Sequence, residues 1–139
     1  MSYQASASAD IDRPLTELTG VIIGCAMKVH RALGPGLLES SYHACLEYQL
    51  AQAGLEVRSQ VGLPLIYGNV QMDVGYRLDM LVADLVVIEV KSVEAILPIH
   101  ESQILTYLKL SKKQVGLLLN FNTVKLTDGI KRKVLTQRI

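Results

Sequence analysis

Three residues stand out by type and spacing: Asp79, Glu89 and Lys91. They lie in a stretch, Gly75-Tyr-Arg-Leu-Asp79 through Glu89-Val-Lys91, that reads as two strands around a short Ala83-Asp84-Leu85 connection. Asp79 and Glu89 sit five residues to either side of Asp84, so an antiparallel hairpin with a three-residue loop sets them directly opposite each other. Opposed residues on one face of a strand pair have Cβ atoms about 5 Å apart. Carboxylates that close repel unless a positive charge lies between them, and a divalent metal is the usual occupant. Lys91, two residues beyond Glu89, returns to the same face by the period-2 pleat. An acid, an acid and a lysine therefore converge on one patch.

Solvated charges on an exposed sheet face are the competing reading. Against it stand Leu81, Val82, Leu85, Val86, Val87, Ile88 and Val90, a nearly continuous apolar run of the kind found in strands covered on both faces. An acid interrupting such a run is costly unless it is paired or holds a metal. The site reading therefore leads.

The rest of the chain supplies elements that must position this patch. Pro14 opens a helix to about Leu33, with Leu18, Val21, Ile22, Cys25, Ala26, Val29 and Leu33 on an apolar stripe. Gly34-Pro35-Gly36 ends it, and a second helix runs from near Leu37 to Ala53, with Leu38, Tyr42, Cys45, Leu46 and Leu50 apolar. Glu39 and His43 are four apart on that helix and can share a face. Val57 to Leu65 and Val70 to Asp79 read as strands around a Tyr67-Gly68-Asn69 turn, with Pro64 marking an edge or bulge. Pro98 opens a third helix, from Ile99 to about Leu110, carrying Gln103 and Tyr107 on one face. Gln114 to Phe121 is a buried strand, and Thr127 to Ile139 a short basic helix or tail. The sum is an α/β sandwich around a mixed sheet.

At 139 residues the chain is expected to be one domain, residues 15–139, behind a loose leader, residues 1–14. That leader has neither the basic start nor the apolar stretch of a secretory signal, and no apolar run approaches the roughly 20 residues of a membrane span. Cys25 and Cys45 are expected as buried free thiols, which fits a reducing cytoplasm. Net charge is +1, but its distribution is uneven. From Glu101 onward eight Lys/Arg face two acids, a net of +6, whereas residues 1–100 carry a net of −5. A basic C-terminal third could hold a phosphate backbone beside an acidic cluster, although surface lysines are the ordinary explanation. His43 and His100 read as surface histidines, and His30 as serving the end of the first helix.

The order Glu39 on a helix, Asp79 on a strand, Glu89-Val-Lys91 on the next strand and Gln103-Ile-Leu-Thr-Tyr107 on a helix resembles the PD-(D/E)XK nuclease superfamily, and its QxxxY element looks like the RecB-type branch. Gly36-Leu-Leu-Glu39-Ser-Ser-Tyr42 resembles the GxxExxY motif of a family of small bacterial and archaeal proteins within that superfamily. The likeness spans roughly residues 15 to 135. Here Leu, not proline, precedes the first acid, and Glu rather than Asp precedes x-Lys; neither change removes a ligand.

The resemblance implies a restriction-endonuclease-like core, a mixed β-sheet flanked by helices. It implies that Asp79, Glu89 and the Val90 carbonyl hold Mg²⁺ (or Mn²⁺), supplemented by Glu39. Lys91 would steer a water onto the scissile phosphorus, and Gln103 and Tyr107 would position Lys91 or the substrate. The expected function is a metal-dependent nuclease acting on nucleic acid, DNA ahead of RNA, in a homodimer or higher homo-oligomer built on the apolar helices or the Gly116–Phe121 strand. The alternative is a non-catalytic module that binds nucleic acid or self-assembles on the same fold.

Overall fold

A computed structural model describes residues 13–136. The elements run α1 (Arg13–Leu33), α2 (Glu39–Gln52), β1 (Val57–Tyr67), β2 (Val70–Val82), β3 (Val86–Lys91), α3 (Pro98–Ser111), β4 (Val115–Asn120), a single 3-10 turn (Leu126–Gly129) and β5 (Ile130–Val134). The five strands form one sheet in sequence order. Only β3 and β4 pair in parallel, and α3 is the crossover that parallel pairing requires. Twelve residues of the expected leader lie outside the described residues, and Arg13 and Pro14 already belong to α1.

Each face of the sheet carries its own core. Leu18, Ile22 and Ala26 of α1 and Tyr42, Leu46 and Leu50 of α2 pack over Met80, Val82, Ile88, Leu117 and Leu119. On the other face Ile104, Tyr107 and Leu108 of α3 cover Leu63, Leu78, Leu81, Val87 and Leu118. This is why β3 and β4 are apolar at nearly every position. A buried, doubly covered β4 cannot supply an intermolecular surface, so the expectation that Gly116–Phe121 forms one does not hold.

Other expectations also change. The basic C-terminal segment is a strand, not a helix or tail: Ile130–Val134 pairs antiparallel with β4 and closes the sheet. Its Lys131, Arg132 and Lys133 are what an edge strand carries to discourage further pairing. Leu38 precedes α2 and is 74% exposed, and Val21 and Leu33 are also exposed. Both cysteines are free, but Cys45 is exposed while Cys25 is buried. His30 is buried and donates from Nε2 to the Thr123 carbonyl at 2.7 Å, tying α1 to the loop beyond β4 rather than to its own helix end. His100 accepts the Leu97 N–H at Nδ1, 3.0 Å, and so caps α3.

Candidate active site

The β2–β3 hairpin turns as the sequence suggests. Met80, Leu81 and Val82 pair with Ile88, Val87 and Val86 around Ala83-Asp84-Leu85, with Ala83 and Asp84 at φ 53° and 58°. Asp79 and Glu89 are the next pair in that register, and there the ladder stops. In place of strand carbonyls, the carboxylates take the amides. Asp79 N–H donates to Glu89 Oε2 at 3.1 Å, and Val90 N–H donates to Asp79 Oδ2 at 2.8 Å. The two acids cross-brace a fork between the strands, each held by the backbone of the other's strand.

The fork coincides with a reversal of faces. In an unbroken strand, residues two apart share a face, yet Met80 packs under α1 and α2 while Leu78 packs under α3. The partner strand reverses with it: Val57 packs with the first core, Val61 and Leu63 with the second. Between them lies Gln60, opposite Asp79, at φ 55°. That left-handed conformation is uncommon for a non-glycine residue, and such outliers concentrate at functional sites. It leaves Asp79 aimed at neither core but into the gap beside β3.

Burial sets the electrostatics. Glu89 is only 5% exposed, and desolvation, reinforced by the Asp79 charge, pushes its carboxyl from 4.5 up to about 8. Asp79 is raised too, chiefly by desolvation, against the lowering effects of the Val90 N–H, His43 and Lys91. Lys91 is thus close enough to favour ionisation of both acids. On the α3 side Tyr107 is buried, and desolvation, reinforced by the charges of Glu89 and Asp79, raises its phenol. Tyr76 of β2 sits 6.3 Å from Tyr107, centroid to centroid. Gln103, one turn earlier on α3, is exposed.

Glu39 opens α2 on the opposite face. The turn before it is fixed by Tyr42, whose hydroxyl donates to the Gly34 carbonyl at 2.5 Å and accepts the Leu37 N–H at 3.1 Å. Its ring stacks on Phe121, 4.7 Å between centroids. Gly36, at φ 98°, allows the tight return that a side chain would oppose. Glu39 Oε1 accepts the Ser92 N–H at 3.4 Å, and Ser92 Oγ donates to the Leu37 carbonyl at 2.6 Å, so the start of α2 is docked just past Lys91. Glu39 acts on Asp79 and Glu89 through space, raising both.

A cavity of about 540 Å³ opens between α2 and β1, with Glu39, His43, Glu47, Ser59, Gln60, Asp79 and Val90 among its lining residues. For His43 the sequence suggests only a surface position. It instead lies inside this cavity, 3.3 Å from Ser59 Oγ and 3.6 Å from Glu47, close enough to lower Asp79. The i,i+4 relation to Glu39 was the available signal. Gln60 and Ser59 gave none, because a polar pair in an edge strand is ordinary.

The donor set suits a hard cation with few protein ligands. Among the described residues no three His, Cys, Asp or Glu side chains gather into a closed metal cage. Asp79 and Glu89 each spend one oxygen on an amide, and no protein donor reaches the second oxygen of either from the described residues. Asp79 lines the cavity while Glu89 is its buried neighbour, and two hard oxygens of this kind match an ion that takes few protein ligands and keeps most of its water.

The family model of the PD-(D/E)XK nuclease superfamily matches residues 16–133. The chain belongs to that superfamily. The mixed five-stranded sheet flanked by helices is the architecture expected of this membership. No curated protein and no solved structure shows significant similarity to the chain. Among the described residues no helix is long and apolar enough to cross a membrane.

Proposed function

We propose that this superfamily member is a metal-dependent nuclease that hydrolyses phosphodiester bonds, DNA ahead of RNA. The observation that carries the reading is the Asp79–Glu89 brace: two acids fixed on each other's strand amides, each with one oxygen left over, beside Lys91. Mg²⁺, or Mn²⁺ in its place, fits because it takes one or two carboxylates and fills its shell with water and substrate phosphate. Asp79 and Glu89 would hold it, with the Val90 carbonyl and Glu39 as further oxygen donors. Such an ion supplies Lewis-acid activation of water and charge neutralisation at phosphorus.

The chain's own residues do the rest. Lys91 would hydrogen-bond the attacking water and, as a cation already in place, stabilise charge building on the phosphate oxygens. Tyr107, buried under α3 and within reach of both acids' charge, would hold Lys91 and the substrate in line, with Gln103 reaching from the turn before. Gly36, Glu39 and Tyr42, together with Gln103 and Tyr107, support a place in the GxxExxY branch, close to the RecB type. The preference for DNA rests on that likeness.

Labelled single- and double-stranded DNA and RNA, incubated with Mg²⁺, Mn²⁺ or EDTA, test the proposal. Wild type should cut with metal and not with EDTA. Glu89→Gln and Lys91→Ala should each lose at least about a hundredfold, the scale of a removed electrostatic or general-base contribution. Equal cutting by wild type and both variants, or none by any, would sink the reading.

A further inference from the structure

β2 overshoots the sheet. It pairs with β3 only over Met80–Val82, opposite Val86–Ile88, and counting on from that register β3 ends level with Arg77. Val70–Tyr76 and its β1 partners therefore form a two-stranded arm that projects past Lys91 for roughly 20 Å. α3 carries the chain from the end of β3 back to the start of β4, so its first turns lie at the same end. Glu101 of α3 pairs with Lys133 of β5. That turns the other flank of the helix, Ile99, Gln103 and Tyr107 at i,i+4 spacing, toward β2. Tyr107 accordingly meets Tyr76, 6.3 Å between centroids.

The face that the arm turns to this flank is apolar and aromatic. Pro64 stands opposite three residues, Asp73 to Gly75, and beyond that bulge Leu65 pairs with Met72 and Tyr67 with Val70. Leu63 pairs with Tyr76 before it, so the period-2 pleat sets Leu63, Leu65, Tyr67, Val70, Met72 and Tyr76 on one face. Leu63 belongs to the core under α3. Farther out the same face is open, with Tyr67 74% exposed, Val70 54%, Met72 39% and Tyr76 42%. Three of the six tyrosines, Tyr107, Tyr76 and Tyr67, thus follow one another outward from the fork on one side of the sheet.

Size and charge choose the occupant. The four open side chains offer on the order of 400 Å², half of the about 800 Å² per partner that a standard protein interface takes. A second copy of the chain therefore finds too little there. From Val61 to Leu78 the arm carries one base, Arg77, and one acid, Asp73, so an anionic membrane, or a duplex gripped by its phosphates, finds a single cation. Unpaired bases need no such charge, since every base has a flat face that stacks on an aromatic ring. In a duplex those faces are already taken by neighbouring bases. The strip also begins at the fork, where the scissile phosphate would sit, so a strand engaged there has its next bases at Tyr76.

We propose that this face of the arm is a stacking platform for unpaired bases of the substrate strand, with Tyr76 nearer the scissile phosphate and Tyr67 farther out. The substrate is then a single strand or a strand with an unpaired end. The identity of the occupant rests on the nuclease reading of the fork, so binding is measured apart from cutting. The probes are a labelled oligothymidylate of about twelve nucleotides and a duplex of the same length, followed by fluorescence anisotropy in Ca²⁺ and checked intact afterwards. The full chain is used, and each variant's fold is checked by circular dichroism.

Wild type should bind the single strand at least about tenfold more tightly than the duplex. Tyr67→Ala and Tyr76→Ala should each weaken single-strand binding at least about fivefold, whereas Tyr76→Phe, which keeps the ring, should match wild type. Ile66→Ala, on the arm's other face and 55% exposed, should change nothing. No single-strand binding, a preference for duplex, or alanine variants that bind like wild type would each overturn the platform. So would an equal loss in Ile66→Ala, or a wild-type dimer that Tyr67→Ala dissociates in sedimentation equilibrium, which would give the face to a second copy. Binding as expected without cutting in Mg²⁺ or Mn²⁺ fails the nuclease reading alone. Cutting, with binding indifferent to both tyrosines, fails the platform alone.

Discussion

Glu89 holds its proton far longer than an ordinary carboxylic acid, because burial and the Asp79 charge both oppose ionisation. The unfolded chain releases that proton near pH 4.5, the folded one near about 8. Between those values the folded state binds more protons, so stability falls as pH rises through the window and levels off above it. The full loss is on the order of 4–5 kcal/mol in the metal-free protein. Glu89→Gln keeps the shape and can still accept the Asp79 N–H. Urea unfolding across pH should therefore show the variant close to wild type at the acid end and more stable at the alkaline end. Parallel profiles would mean that the Glu89 carboxyl is not the group responsible. The site's acids were legible in sequence because charges inside an apolar run are conspicuous. Their cross-bracing was not, since no pattern of residue types says that a ladder will end one pair short.

The elements explain the motif that precedes the second helix. Tyr42 is buried and satisfies two backbone groups of the Gly34–Leu37 turn, so it sets where Glu39 begins α2. Tyr42→Phe would preserve the stack on Phe121 but leave the Leu37 N–H and Gly34 carbonyl short of a partner. A cost of about 1–3 kcal/mol is expected in urea unfolding, with cleavage lowered because Glu39 loses its anchor. A variant as stable and as active as wild type would reduce Tyr42 to core filling. Helices and central strands were readable from the apolar stripe of α1, from the continuous apolar runs of β3 and β4, and from punctuation, Pro98 and Gly34-Pro35-Gly36 above all. β5 is illegible in the sequence for a physical reason: Lys131, Arg132 and Lys133 guard an edge, so the strand has little apolar alternation to display. Cys45 and Leu38 were misplaced because an apolar side chain on a half-covered helix, or just before one, can face water at little cost.

Across the whole molecule, two lysines of the basic C-terminal third are engaged by acids other than Asp79 and Glu89. Lys113 joins Arg58 in clamping Asp84, at the opposite end of the hairpin from the fork, and Lys133 pairs with Glu101. The tight turn between β2 and β3 also bears on the order of folding. Asp79 and Glu89 are joined by a loop whose closure costs little entropy, and hairpins form in microseconds. The docking of α1 and α2, and the β3–β4 pairing across α3, join parts of the chain much further apart. The acids therefore meet while still wet, and lose their water only when the helices close over the sheet. Repulsion that arrives so late should leave the folding rate alone and act on unfolding. Stopped-flow kinetics at the two ends of the Glu89 window should share a refolding limb and diverge in the unfolding limb. The part of the protein fitted for chemistry would then be among the last to dry during folding, and the first to let water back in.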